Sequence, residues 1–125
     1  MTFTTDPKEA VAFGTVILNF VGTPGKEDGS ANLEYIFTVA KTIAVHIDSY
    51  KVIITKSTVP PGTARQLDAL IKKLNPKAEY DIISNPEFLK EGAAIDDCDN
   101  PDRIVVGLKE QKSKAKMQVC NKTLL

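Results

Sequence analysis

The sequence has no net charge to work with: its 125 residues carry 16 Lys and Arg against 16 Asp and Glu. So balanced a chain has no long-range field with which to collect a phosphodiester backbone, which argues against nucleic-acid binding. Cysteine is scarce as well. Cys98 and Cys120 lie far apart in unlike surroundings, with no CxxC pair and no histidine at ligand spacing. They make neither a disulfide framework nor a metal site, and two separate cytosolic thiols are the simpler reading. No apolar run approaches the length that spans a bilayer. The opening Met1-Thr2-Phe3-Thr4-Thr5-Asp6 lacks the basic patch and apolar segment of a signal peptide, so a cytoplasmic protein without a membrane partner is expected. Internal repeats and low-complexity segments are also missing.

What is present is ordinary in amount and informative in arrangement. An apolar fraction of 42% and a charged fraction of 26% are those of a globular chain, not a disordered one. The length allows one domain at most, with enough residues for a real core.

Asp6-Pro7-Lys8-Glu9 reads as a helix start. Asp6 can cap, Pro7 has φ pre-set for the first helical position, and Glu9 falls where a capping-box carboxylate would reach back. Residues 15–21 form a nearly continuous apolar run stopped by Gly22-Thr23-Pro24-Gly25, which suits a strand buried on both faces. Residues 26–32 are polar and read as a surface loop. From 33 to 47, Leu33, Ile36, Phe37, Ala40, Ile43, Ala44 and Ile47 recur at helical spacing, predicting an amphipathic helix of about four turns. His46 then reads as a helix-end residue. A second strand is predicted at 51–55. Pro60-Pro61-Gly62 delays the next helix to Thr63, from which it runs to about Leu74. Strands at 81–83 and 103–106 and a helix from 110 complete the pattern. Alternation of this kind predicts an α/β fold with a mostly parallel sheet and helices on both faces.

In open parallel sheets, ligands bind beyond the carboxyl ends of the strands. Three predicted strand ends carry conspicuous polar residues: Val21-Gly22-Thr23-Pro24, Lys56-Ser57-Thr58-Val59-Pro60, and Ser84-Asn85-Pro86-Glu87-Phe88-Leu89-Lys90-Glu91-Gly92. Each alone has a plain structural reading. The first is a turn, Ser57-Thr58 a cap, and Glu87 with Glu91 a pair of surface carboxylates. Parallel strands, however, would bring all three to one rim. Gly22 would let a ligand approach the backbone, and Thr23 would offer it a hydroxyl and an amide. Glu87 and Glu91 would share a helical face, and Phe88 and Leu89 should bury, drying the carboxylates. Desolvation and a like-charged neighbour both raise a carboxyl pKa, the condition for general acid or base work. Asn100-Pro101-Asp102-Arg103 reads as a turn before a strand, with Arg103 pairing with a carboxylate.

These loops, in this order and spacing, resemble the UDP-glucose 6-dehydrogenase family of NAD-dependent nucleotide-sugar dehydrogenases. Asp28-Gly29, Gly62-Thr63 and Asn100-Pro101-Asp102-Arg103 leading to Gly107 extend the likeness, and residues 84–92 are its most specific part. Lys56 and Gly92 look more like the UDP-glucose branch than the GDP-mannose branch. The resemblance implies a Rossmann-like sheet, NAD as cofactor, and UDP-glucose or a related nucleotide sugar as substrate. It places Val21, Gly22, Thr23, Pro24, Ser57 and Thr58 along the NAD, with Glu91 at the cofactor side and touching substrate. It also makes Thr58 the residue that orients a water or hydroxyl near the reacting carbon. Glu87 would be the acid/base carboxylate, and Phe88, Leu89 and Lys90 would contact the nucleotide sugar largely through their backbone. The family oxidises a primary alcohol to a carboxylate by two hydride transfers, through a covalent adduct on a cysteine.

The family's Gly-rich dinucleotide turn is expected before Phe3, and no G-x-G-x-x-G occurs in these residues. Its nucleophilic cysteine has a Gly-Gly-x-Cys setting that neither Cys98 nor Cys120 shares. Residues 1–125 therefore read as the second half of an NAD-binding domain, truncated at both ends, and inactivity of the isolated chain is expected. Strand 15–21 would then be an open apolar edge that promotes self-association. The alternative function is a non-catalytic nucleotide-binding or assembly module that keeps the 84–92 loop for structure.

Overall fold

The computed structural model describes residues 1–90 and 92–109. Eight elements follow one another: α1 (Pro7–Phe13), β1 (Val16–Asn19), α2 (Glu34–His46), β2 (Lys51–Thr55), α3 (Thr63–Leu74), β3 (Tyr80–Ser84), α4 (Ala94–Asp99) and β4 (Gly107–Leu108). They form one four-stranded sheet in the order β1-β2-β3-β4. The first two pairings are parallel and β3–β4 is antiparallel. Asn19 is in register with Thr55, and Thr55 with Ser84, so three strands end on one row.

Local chemistry accounts for the helix limits. The Asp6 carboxylate accepts from the amides of Lys8 and Glu9, with Pro7 at the first helical position. Glu9 does not reach back to the Asp6 amide, which instead donates to Thr4 Oγ1, while the Thr4 hydroxyl donates to Glu9. Gly62, at φ +91°, turns the chain into α3, and Thr63 Oγ1 closes the turn by donating to Pro60 O at 2.8 Å.

The predicted apolar stripes become the core. Val11 from α1, Ile36, Ala40, Ile43 and Ala44 from α2, and Leu67 and Ile71 from α3 pack with Ile53 against one face of the sheet. Val52, Ile54 and Ile83 form a second cluster on the opposite face, with Val16, Tyr50, Val106 and Leu108 against it.

Three expectations about the elements need correction. The strand expected over 15–21 closes after Asn19: the Asn19 side chain accepts the Val21 amide at 3.2 Å, which turns the chain away from the sheet. The strand expected over 103–106 is not formed. Instead Val105 O is bonded by Asn85, and sheet pairing begins only at Gly107, where a Cβ would stand 3.4 Å from that of Ser84. The short α4 was not anticipated. Its sequence AIDDCD has no helical apolar period, and its Ala93 cap position makes no side-chain bond. The helix expected from 110 lies outside the described residues.

Candidate functional site

Parallel pairing sends the chain out of β1, β2 and β3 at the same rim, and side chains then stitch the three exits together. Lys56 N donates to Asn19 O at 2.9 Å and Asn85 N to Thr55 O at 2.9 Å, carrying each ladder one residue past its strands. Beyond them Ser57 Oγ, on a buried residue, donates to Val21 O at 2.6 Å. Thr23 Oγ1 donates to the carbonyl of Thr58 at 3.0 Å. Lys56 Nζ donates to Asn85 Oδ1 at 3.0 Å. Gly22, Thr58 and Glu87, drawn from three separate segments of sequence, thus share one rim of the molecule.

The hydroxyls of Ser57 and Thr23 are therefore spent as donors within the chain. Thr23 was expected to present its hydroxyl to a ligand, but it braces the neighbouring loop instead. What this wall offers outward is backbone: a Cβ placed on Gly22 would meet nothing within 4 Å, so the space beside that peptide is open. An open glycine peptide on a braced loop, above the carboxyl ends of parallel strands, fits a dinucleotide lying along it.

On the β3 side the loop encloses a cleft of about 470 Å³ whose walls include Phe20, Lys56, Glu87, Phe88, Cys98 and Arg103. Glu87 Oε2 is buried and has no hydrogen-bond partner among the described residues. A shielded carboxylate oxygen with no donor is costly unless a ligand or water supplies one. Glu87 reaches this environment by a route that differs from the expectation. Residues 85–90 are not helical, and Phe88 and Leu89 are 48% and 45% exposed instead of buried. The loop has no regular structure, and Phe88 and Leu89 line the cleft. Glu91, expected at the cofactor side and against substrate, lies outside the described residues.

The far wall is tied to the loop at several points. Asn85 Nδ2 donates to Val105 O at 2.9 Å. Lys90 N donates to Asp97 Oδ2 at 2.7 Å, and Lys90 Nζ lies 3.4 Å from Asp97 Oδ1. That amide bond, with the ammonium beside it, holds the Asp97 carboxyl below its usual pKa. Arg103, expected to pair with a carboxylate, lies over the Phe88 ring, 4.8 Å from its centroid. Sequence reasoning missed Asn85 as an individual residue and missed Asp97 altogether. The Ser84-Asn85-Pro86 context was the only signal for the first, and Asp97 sat in a run of acids with nothing to single it out.

Comparison with known proteins agrees with this geometry. The family model described as "UDP-glucose/GDP-mannose dehydrogenase family, NAD binding domain" matches residues 1–124. The UDP-glucose 6-dehydrogenase of Rhizobium meliloti (strain 1021) is 44% identical over 117 residues, covering 93% of this chain and 27% of that protein. UDP-glucose 6-dehydrogenase TuaD of Bacillus subtilis (strain 168) is 42% identical over 116 residues, covering 92% and 25%. The chain thus spans about a quarter of the length of these relatives. Among solved structures, a UDP-glucose dehydrogenase from the hyperthermophilic archaeon Pyrobaculum islandicum superposes with TM-score 0.89 at 33% identity, covering 99% of this chain and 30% of that one. A GDP-mannose dehydrogenase from Pseudomonas aeruginosa, solved as a ternary complex, superposes with TM-score 0.89 at 33% identity, covering 96% and 29%. The chain belongs to the UDP-glucose/GDP-mannose dehydrogenase family, to its NAD binding domain.

Proposed function

We propose that residues 1–125 are a partial NAD-binding domain of a UDP-glucose 6-dehydrogenase, which oxidises UDP-glucose to UDP-glucuronate. The observation that carries this reading is the buried, unpartnered Oε2 of Glu87 in a cleft at the rim where three parallel strands end. NAD, when bound, accepts the hydride. Val21, Gly22, Thr23 and Pro24 with Ser57 and Thr58 form the wall along it, chiefly through backbone, since two of those hydroxyls are spent inside the chain. Thr58, exposed at the same rim, orients the water or hydroxyl near the reacting carbon. Glu87 takes and returns the proton of the reacting hydroxyl, a role supported by its place in the cleft lining and by an Oε2 that is buried and unpartnered among the described residues. Phe88, Leu89 and Lys90 hold the nucleotide sugar, and Glu91 would act at the cofactor side and on substrate.

Two further parts of the reading concern the chain by itself. It contains neither G-x-G-x-x-G nor Gly-Gly-x-Cys, so it lacks a pyrophosphate turn and the nucleophile for the covalent step. We expect it to bind without turning over. Its β1 edge, Val16–Asn19, carries no charge and has Leu18 38% exposed, Phe20 just beyond it is 64% exposed, and an edge without Lys or Pro favours pairing with a second copy.

Titrating the purified chain separately with UDP-glucose and NAD tests the assignment: saturable binding of at least one is expected, and binding of neither refutes it. Turnover above background would refute the expected inactivity. In a full-length context, Glu87→Gln should lower turnover by roughly 10²–10⁴-fold with little change in substrate affinity. A sedimentation profile that stays monomeric at tens of micromolar would remove the self-association.

A further inference from the structure

Asn85 is 4% exposed and sits at the base of the cleft, where one carboxamide meets two unlike groups. Its Oδ1 accepts from Lys56 Nζ at 3.0 Å and its Nδ2 donates to Val105 O at 2.9 Å. An ammonium only donates and a backbone carbonyl only accepts. A side chain of this size can answer both only if it is a carboxamide. Aspartate would set an acceptor against the Val105 carbonyl, and leucine would leave both groups stranded. The Asn85 backbone is itself fixed, since its amide donates to Thr55 O at 2.9 Å.

Two consequences meet in the cleft. Val105 belongs to the segment that carries Arg103 and Ile104, which line the far wall, so the Asn85–Val105 bond sets how far that wall stands from the 86–90 loop. Lys56 lines the same cleft, and its ammonium bonds to the neutral Asn85 and forms no ion pair among the described residues. Two of its three N–H groups are left to point elsewhere. Glu87 Oε2, in the same cleft, has a lone pair to spare. Donor and acceptor capacity are thus both present in the cleft lining, and the Lys56 ammonium is bonded to Asn85 and not to Glu87.

We infer that Asn85 is the positioning residue of this cleft: its buried carboxamide fixes the separation of the two walls and holds the Lys56 ammonium, which pairs with no carboxylate among the described residues, toward an anionic or hydroxylated group of the bound molecule. The identity of that molecule as a nucleotide sugar rests on the function proposed above. The geometry of the clamp does not.

The experiment uses the whole chain, Asn85→Ala, and the milder Asn85→Asp, which keeps an oxygen for Lys56 but cannot donate to Val105. Amide exchange and the ¹⁵N signal of the Lys56 ammonium are recorded without ligand, followed by a UDP-glucose titration. In Asn85→Ala, exchange at Gly107 and Leu108, which pair with β3 next to that bond, should rise about tenfold, the worth of roughly one hydrogen bond. The amides of Ile53 and Ile71 should keep their protection, and the Lys56 signal should move toward that of exposed lysines. Asn85→Asp should loosen the wall alike but leave the Lys56 ammonium bonded. An unchanged Lys56 signal in Asn85→Ala overturns the inference. Core amides exchanging in step with the wall would also overturn it, by making Asn85 a general stability residue. UDP-glucose should bind Asn85→Ala at least tenfold more weakly, and equal affinity overturns the positioning role. A wild-type chain that binds no UDP-glucose removes the proposed function instead, and the two ligand-free measurements then decide the clamp alone.

Discussion

Lys51 opens β2 with its side chain only 2% exposed, the largest fully buried side chain among the described residues, yet it is poorly compensated. Its Nζ donates one long bond, 3.3 Å, to Ala12 O near the end of α1. Its carboxylate neighbour, Asp48, is 3.9 Å away and 65% exposed. Removing an ammonium from water costs several kcal/mol even after relaxation. Against this stand about 1 kcal/mol for the hydrogen bond and less than about 1 kcal/mol for a pair with so exposed a partner. Lys51→Met keeps the length of the stem and removes the charge. Ala12 is exposed, so water can take over its carbonyl. The variant should therefore be more stable by about 1–2 kcal/mol, within the range found when buried ions are replaced by apolar residues of similar volume. Urea unfolding followed by circular dichroism should show a higher midpoint at unchanged slope, and the melting temperature should rise by several degrees. Asp48→Asn is the control and should change stability by less than about 0.5 kcal/mol. A lower midpoint for Lys51→Met, or a large loss in Asp48→Asn, would refute the reasoning by showing the ammonium to be well paired.

Ser57→Ala should cost about 1–2 kcal/mol in chemical denaturation, since it breaks a 2.6 Å bond between loops at a residue 9% exposed. Thr23→Val, at the more open 3.0 Å bond, should cost less than half of that. Tyr80→Phe should cost about 1–2 kcal/mol, because the single phenol proton lies between the carboxylate (2.9 Å) and the carbonyl (3.1 Å) of Asp68. Burial pushes the Tyr80 phenol above its usual range, and the Asp68 carboxylate beside it adds to the shift. Burial also opposes ionisation of Asp68, but the bonds from Lys72 and Tyr80 and the charges of Lys72 and Lys109 outweigh it and hold that carboxyl below its usual range. The unfolded chain then binds the proton more readily, so Asp68 contributes its full stability above its unfolded pKa and loses it as pH falls through the folded value. Acid titrations of stability should show this loss blunted in Tyr80→Phe. Gly62→Ala should cost about 1 kcal/mol through the backbone at φ +91°, since the nearest atom to an added Cβ is Arg65 Nη2 at 3.7 Å.

Periodic signals in the sequence were trustworthy where burial is one-sided or complete. The stripe of Leu67, Leu70, Ile71 and Leu74 and the Pro60-Pro61-Gly62 stop give α3 its observed limits, and the β-branched run at 51–55 is β2 residue for residue. Errors arose where a side chain outbids the backbone. Asn19 takes the Val21 amide and ends β1 early, and Asn85 takes the Val105 carbonyl and moves the last strand to Gly107. Neither capture has a periodic signature, because each depends on a neighbour distant in sequence. The loop of Glu87 failed for a related reason. Four-residue spacing suggested a helical turn, but Lys90 N is drawn to Asp97 and the segment has no regular structure. Convergence of the three loops was legible because it follows from parallel topology alone, without side-chain detail.

The two sides of the rim are consequently built for different work. On the β1–β2 side, Ser57 and Thr23 spend their hydroxyl protons on Val21 and Thr58, so that wall is rigid and presents mainly peptide groups. Substitutions there should act through shape, altering stability and cofactor affinity together. On the β3 side, Glu87 Oε2 has no partner among the described residues, and the Lys56 ammonium makes a single bond there, to the Asn85 carboxamide. Substitution of Glu87 should alter binding and turnover more than the fold, because its Oε2 bonds to nothing among the described residues. A binding role for this loop predicts that a ligand group or a water supplies the donor that Glu87 Oε2 lacks among the described residues.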